Sequence, residues 1–278
     1  MIIDAHTHIL PDRVRGDVAG VIAADPWFAD CHAKHGRMAS AETLVAALDE
    51  HGIDKGICFS WPFANASLCA EGNDYVATAQ KRHPDRIIGF GIVQPLDAGA
   101  VAEVERCARL GLRGIGELNA DAQGFDLLDQ AALQPVIEAS RRCGLVWNLH
   151  CSEPVGHAYA GKGKTTPDVL VGFVERNPDL TLVCSHLGGG LPLYAHLPEV
   201  REICQKLYFD TSAQPFVYAA SIYRAVIDAI GIDRILFGSD HPLLDLPRYR
   251  DQMARAGLSA TELAGILGDN AKRLLEPA

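Results

Sequence analysis

The hydrophobic pattern of the chain switches repeatedly between two periods. Short runs rich in aliphatic and β-branched residues occur at Ile2 to Ala5, Gly56 to Ser60, Ile87 to Val93, Arg113 to Leu118, Leu145 to His150, Leu180 to Ser185, Leu207 to Asp210 and Arg234 to Gly238. Several are apolar on consecutive residues, as parallel strands covered by helices are. Between them lie longer stretches with apolar residues three and four apart, the period of a helix packed on one face. The stretch from Ser40 to Gly52 opens with a capping box around Ser40, Glu42 and Thr43 and stops at glycine. Asp97 to Gly111, Asp129 to Gly144 and Phe216 to Gly231 end on glycine in the same way.

Strand followed by crossover helix, repeated, implies right-handed βαβ units. Eight predicted strands match the count of a (β/α)8 barrel. A doubly wound open sheet would alternate identically, so the polar residues at the strand ends have to decide between them. One stretch breaks the rhythm: Ile9 to Ala39 separates the first strand from its helix and holds Pro11, Gly16, Gly20, Pro26, Trp27, His32 and His35. A loop of that length inside a compact fold is usually functional, and it is expected to act as a lid.

Composition narrows this picture. The 278 residues fit one barrel or two smaller domains. No linker and no repeat beyond the strand–helix unit is visible, so a single domain over residues 1–278 is expected. The formal net charge of −10 carries no basic block, which weighs against nucleic acid or anionic lipid as partner. No apolar run approaches the roughly 18 residues of a membrane span, and the MIIDAHTH start does not resemble a signal peptide; a cytoplasmic protein acting on a small molecule is expected, with a homo-oligomer left open. The eight cysteines form no CxxC pair and sit among aliphatic residues, as small core hydrophobes do.

The chemistry gathers where strands end. His6 and His8 finish the first strand at i and i+2 and therefore share a face, an arrangement suited to two nitrogen ligands on a divalent ion. Glu117 ends the fourth strand, His150 the fifth, His186 the sixth and Asp240 the eighth. The carboxyl ends of all strands of a (β/α)8 barrel meet at one mouth, which an open sheet or two folds would not supply. Taken singly, His150 could be a bonded core histidine, Glu117 a structural acid and Asp240 a helix cap before Pro242; together they read as a metal centre.

His6-Thr7-His8 after Asp4, the strand-five histidine, SHLGGG at strand six, FGSDHP at strand eight and the terminal DNAKRLL resemble the amidohydrolase superfamily, specifically its amidohydrolase-2 branch. The resemblance covers nearly the whole chain. It implies a metal-dependent TIM-barrel enzyme in which His6, His8, His150 and Asp240 bind the metal and His186 orients or deprotonates a metal-bound water. Decarboxylase-like members of the branch generally lack an acid at strand four; Glu117 instead resembles the bridging glutamate of TatD-type barrels, which leaves one or two ions open and adds Glu117 and His186 to the candidate ligands. Zinc is the expected metal, with manganese, iron or nickel as alternatives.

The expected reaction is hydrolysis of a C–O or C–N bond in a small lactone, ester or amide, with Asp240 shuttling the water proton and His186 assisting. Two alternatives stand beside it: non-oxidative decarboxylation of an unsaturated or aromatic acid, and a barrel that binds without catalysing. Trp61, His157, Tyr159 and His241 are the candidate substrate contacts, and His157, Lys162 or Lys164 is a candidate partner for a substrate carboxylate.

Overall fold

In the computed structural model, which describes residues 1–32 and 36–276, eight parallel strands follow one another around a barrel in sequence order. They are β1 (Ile3–His8), β2 (Lys55–Phe59), β3 (Ile87–Gly91), β4 (Gly114–Leu118), β5 (Val146–Leu149), β6 (Leu182–Cys184), β7 (Tyr208–Asp210) and β8 (Ile235–Leu236). The last strand returns to the first. The Ala5 amide donates to the Phe237 carbonyl at 2.7 Å, the Asp240 amide to the His6 carbonyl at 2.9 Å, and the His8 amide to the His241 carbonyl at 2.8 Å. The strand-end reading that favoured a (β/α)8 barrel over an open sheet is therefore the observed architecture.

The helices cover the outside for the reason their sequences suggest. Ala100–Arg109 buries Ala100, Val104 and Cys107, a stripe at i, i+4 and i+7. Trp147 of β5 stacks on Phe173 of helix Pro167–Arg176 with ring centroids 6.1 Å apart, joining strand layer to helix layer. Cys58, Cys69, Cys107, Cys151, Cys184 and Cys204 are buried as free thiols. The Ser40 cap closes with Thr43 at its third helical position, each side chain serving the other's backbone amide.

Two expectations require correction. The segment predicted as a single helix over 216–231 is broken into Gln214–Val217 and Ile222–Ile230. The presumed loop from Ile9 to Ala39 is largely helical: Asp12–Gly16, Val18–Ala24 and Phe28–His32 follow in succession, while Ala33 to His35 of that stretch lie outside the described residues. Val14, Val21 and Phe28, each seven residues from the next, are the buried anchors, a helical period masked by the intervening Pro and Gly. Asp25 ties the segment to the loop after β2, its carboxylate accepting from the Ala64 amide at 2.6 Å.

The turn after β6 shows why SHLGGG is built as it is. Three successive glycines, Gly188, Gly189 and Gly190, have positive φ (60°, 60° and 86°). A Cβ on Gly189 would lie 2.3 Å from the Ser152 carbonyl oxygen, whereas one on Gly257, also at positive φ (66°), would meet nothing within 4 Å. Gly257→Ala is expected to cost about 1–2 kcal/mol, the backbone penalty alone. Gly189→Ala should cost clearly more, because backbone must also move, and urea unfolding midpoints of the two variants will measure the difference.

Candidate metal centre

Each residue singled out at a strand end projects into the mouth. His6 and His8 come from β1, Glu117 from β4, and His150, His186 and Asp240 from the residues just after β5, β6 and β8. His186 and Asp240 both sit in left-handed backbone, with φ of 56° and 61°. Strain of this kind costs of order 1–3 kcal/mol and persists only where the surroundings impose it. It turns both side chains back toward the histidines of β1.

The hydrogen bonds behind the imidazoles fix one donating nitrogen on each ring. His8 Nδ1 lies 3.0 Å from the Ser60 carbonyl oxygen, His186 Nδ1 3.0 Å from the Ser212 carbonyl oxygen, and His150 Nε2 3.0 Å from the Gly161 carbonyl oxygen. A carbonyl only accepts, so each of these nitrogens donates. His6 Nδ1 lies 3.0 Å from Asp210 Oδ2 and donates likewise. The opposite nitrogens are the ones that could ligate a cation, and they face one another: His6 Nε2 and His8 Nε2 at 3.2 Å, His186 Nε2 and His150 Nδ1 at 3.1 Å.

The acids complete two triads, His6–His8–Asp240 and Glu117–His150–His186. Asp240 Oδ1 is 3.5 Å and 3.4 Å from the two β1 nitrogens, and Glu117 Oε1 is 3.1 Å and 3.3 Å from those of His150 and His186. Donors about 2.1 Å from a shared tetrahedral ion stand roughly 3.4 Å apart, so either triad has the spacing of a cation site. The other oxygen of Glu117 lies 3.8 Å from both β1 nitrogens and spans the gap between triads. Lone pairs and carboxylates packed together out of water repel one another unless a positive charge sits among them. The residues present fit a divalent metal.

Without a metal, protons on the inner nitrogens supply the positive charge that these acids call for, and a bound cation would displace them. Burial works against charge on Glu117, yet His6 and His150 hold its carboxyl well below the usual carboxylate range. Asp240 is drawn down to about 2 despite burial, by its hydrogen bond with His8 and the nearby imidazoles. His6 is pushed up to about 9, burial being outweighed by the carboxylates of Asp210, Glu117 and Asp240.

Asp210, at the end of β7, is the functional residue that the sequence reading passed over. Fully buried, it accepts from His6 Nδ1 and, through its other oxygen, from the His186 amide at 3.2 Å, the Ser212 amide at 3.0 Å and the Ser212 hydroxyl. One carboxylate thus sets the tautomer of His6 and holds the backbone of His186. The rule that found Asp240, an acid closing a predicted strand, would also have found Asp210.

A cavity of about 1080 Å³ opens above the triads. His157, Tyr159 and Trp61, three of the candidate substrate contacts, line it. Tyr159 also donates to Glu153 at 2.6 Å. Lys162 does not line the cavity: its ammonium braces the loop by donating to the Val155 and His157 carbonyls at 2.9 and 3.2 Å. His241 is misplaced by the sequence reading. It lines a separate small pocket with His51, Leu48 and Asp245 and lies outside the cavity lining, the left-handed backbone of Asp240 (φ 61°) separating the directions of the two side chains. His32, from the inserted helices, lines the cavity instead, its ring centroid 4.6 Å from that of Trp61.

Comparison with known proteins adds three findings. The family model described as Amidohydrolase matches residues 3–276. The 6-methylsalicylic acid decarboxylase of Penicillium expansum is 25% identical over 86% of this chain and 84% of its own, and the gamma-resorcylate decarboxylase of Rhizobium radiobacter is 23% identical over 96% and 95%. The barrel also superposes on 5-carboxyvanillate decarboxylase of Novosphingobium aromaticivorans, complexed with manganese and 4-hydroxy-3-methoxy-5-nitrobenzoic acid, with TM-score 0.80 and 20% identity over 99% of this chain and 96% of that one. These relatives are named as decarboxylases, which overturns the expectation of lactone, ester or amide hydrolysis. The strand-end residues misled because they suit a metal and do not specify the bond that breaks.

Asp210→Asn retains the size of the side chain and removes its charge. It is expected to weaken metal binding about 10–100-fold, read by competition with a fluorescent chelator. Unchanged affinity would mean that His6 is oriented without Asp210.

Proposed function

Because the chain belongs to the amidohydrolase family, we propose that it is a metal-dependent, non-oxidative decarboxylase of a hydroxylated aromatic acid. The observation that carries this reading is the pair of acceptor-only triads at the floor of an aromatic-lined cavity. The decarboxylases among its relatives give the reaction its direction. His6, His8 and Asp240 would hold one ion, and His150 and His186 a second, with one oxygen of Glu117 toward each. This departs from the resemblance, which put His150 in one set with His6, His8 and Asp240. Manganese, found with the Novosphingobium enzyme, takes precedence over the zinc expected from sequence.

When bound, a divalent cation supplies Lewis acidity and a fixed anchor for the substrate's carboxylate and adjacent phenolic oxygen. The protein's own groups manage the proton. Asp240, held ionised, takes the phenolic proton and delivers it to the ring carbon that bears the carboxylate. The bond from that carbon to the carboxylate then breaks, its electron pair restores the aromatic ring, and carbon dioxide leaves. His186, fixed by Ser212 on one side, keeps its inner nitrogen turned toward the ion that it and Glu117 would share. Trp61, 6.0 Å from His8 between ring centroids, shields one face of the ring from water. A barrel that binds without reacting would leave the facing lone pairs uncompensated, which disfavours that alternative.

With the manganese-loaded protein in heavy water, a hydroxybenzoate substrate should release carbon dioxide and carry deuterium at the vacated ring carbon. Asp240→Asn should slow release roughly 10²–10⁴-fold. A product labelled by oxygen-18 water, formed without carbon dioxide, would contradict decarboxylation. Elemental analysis after manganese reconstitution should approach two ions per chain; a value near one that Glu117→Gln leaves unchanged would remove Glu117 from the ligand set.

A further inference from the structure

The cavity above the triads is larger than the reaction proposed for it requires. Ligand pockets of drug-sized molecules run to about 300–1,000 Å³, and this one encloses about 1080 Å³. A single-ring hydroxy acid has only roughly ten non-hydrogen atoms and would leave most of such a space to water. Away from the triads the walls are largely apolar, with Asp30 the single acid among the described lining residues there. Trp27 and Met38 of the inserted segment line this part, as do Phe216 and Val217 of the short helix after β7 and Leu243 of the loop after β8.

A second observation points the same way. Phe216 and Leu243 are 48% and 45% exposed although both border the cavity. Large apolar side chains left open at a pocket rim mark a place where a partner or ligand completes the burial. Among the described lining residues Arg37 is the single lysine or arginine, so the distal region offers mainly hydrophobic contact.

We infer that the substrate is an aromatic acid larger than one ring, a fused bicyclic or aryl-extended hydroxy acid. Its reacting carboxylate lies at the triads and its second ring lies among Trp27, Met38, Phe216 and Leu243. This rests on the decarboxylase reading for the reacting end; the size of the ligand rests on the cavity alone. Trp27 and Phe216 are specificity-determining residues in this arrangement, since they touch the part of the substrate that does not react.

The manganese-loaded full chain is offered salicylate and 1-hydroxy-2-naphthoate, and kcat/KM is compared. In parallel, binding of the unreactive 2-nitrophenol and 2-nitro-1-naphthol is followed by tryptophan fluorescence, so that ligand size is tested apart from turnover. The bicyclic member of each pair should be preferred by roughly tenfold or more, the scale of discrimination that apolar pockets reach. Trp27→Ala and Phe216→Ala should each shrink that ratio. Equal or better handling of the single-ring compounds overturns the inference while leaving decarboxylation in place. A bicyclic preference in binding without turnover of either acid supports the inference and counts against decarboxylation.

Discussion

The backbone hydrogen bond from the Asp240 amide to the His6 carbonyl, 2.9 Å long, joins the end of the chain to its beginning, and the site depends on it. It belongs to the seam where β8 meets β1, and that seam sets Asp240 beside His6 and His8. The same closure brings Glu117, His150 and His186 to the rim from the opposite side. Asp4 reinforces the seam from below, its carboxylate accepting from the Ser239 amide at 2.9 Å and the His6 amide at 3.2 Å. Burial pushes the Asp4 carboxyl up to about 7, against those hydrogen bonds.

Closure gathers groups that would not otherwise stay together. Four imidazole lone pairs and two carboxylates sit within a few ångströms, while their other polar atoms are tied to carbonyls, to Asp210 and to Ser212. The outer bonds hold each ring in one tautomer and so prevent the inner nitrogens from relieving the repulsion by shifting a proton. Such a site is arranged in advance for a cation, and the left-handed conformations of His186 and Asp240 are part of the cost of arranging it.

The inserted helices give the barrel its substrate space. Phe28 packs among Trp61, Phe63 and His32, with centroid distances of 5.7, 5.6 and 4.2 Å, and this aromatic cluster turns the insertion into a wall of the cavity. The metal chemistry belongs to the strands, the shape of the ligand to the insertion and the late loops.

The alternation of strand and helix, the caps and the strand-end residues were legible in the sequence because each is a local property. The period of two places His6 and His8 on one face wherever the strand lies, and glycine stops a helix whatever surrounds it. The helical turns at Val14, Val21 and Phe28 were not legible, since short helices broken by Pro and Gly are stabilised by what they pack against. Nor was the orientation of His241, the grouping of six ligands into two triads, or the work of Asp210, 204 residues from the histidine it orients. Those were decided by tertiary structure, because they depend on the register at which distant strands meet and on which side of each strand faces the barrel's interior. The sequence determined that residues suited to a divalent metal would gather at one mouth; the space above them, which bounds the ligand, is defined only by the folded chain.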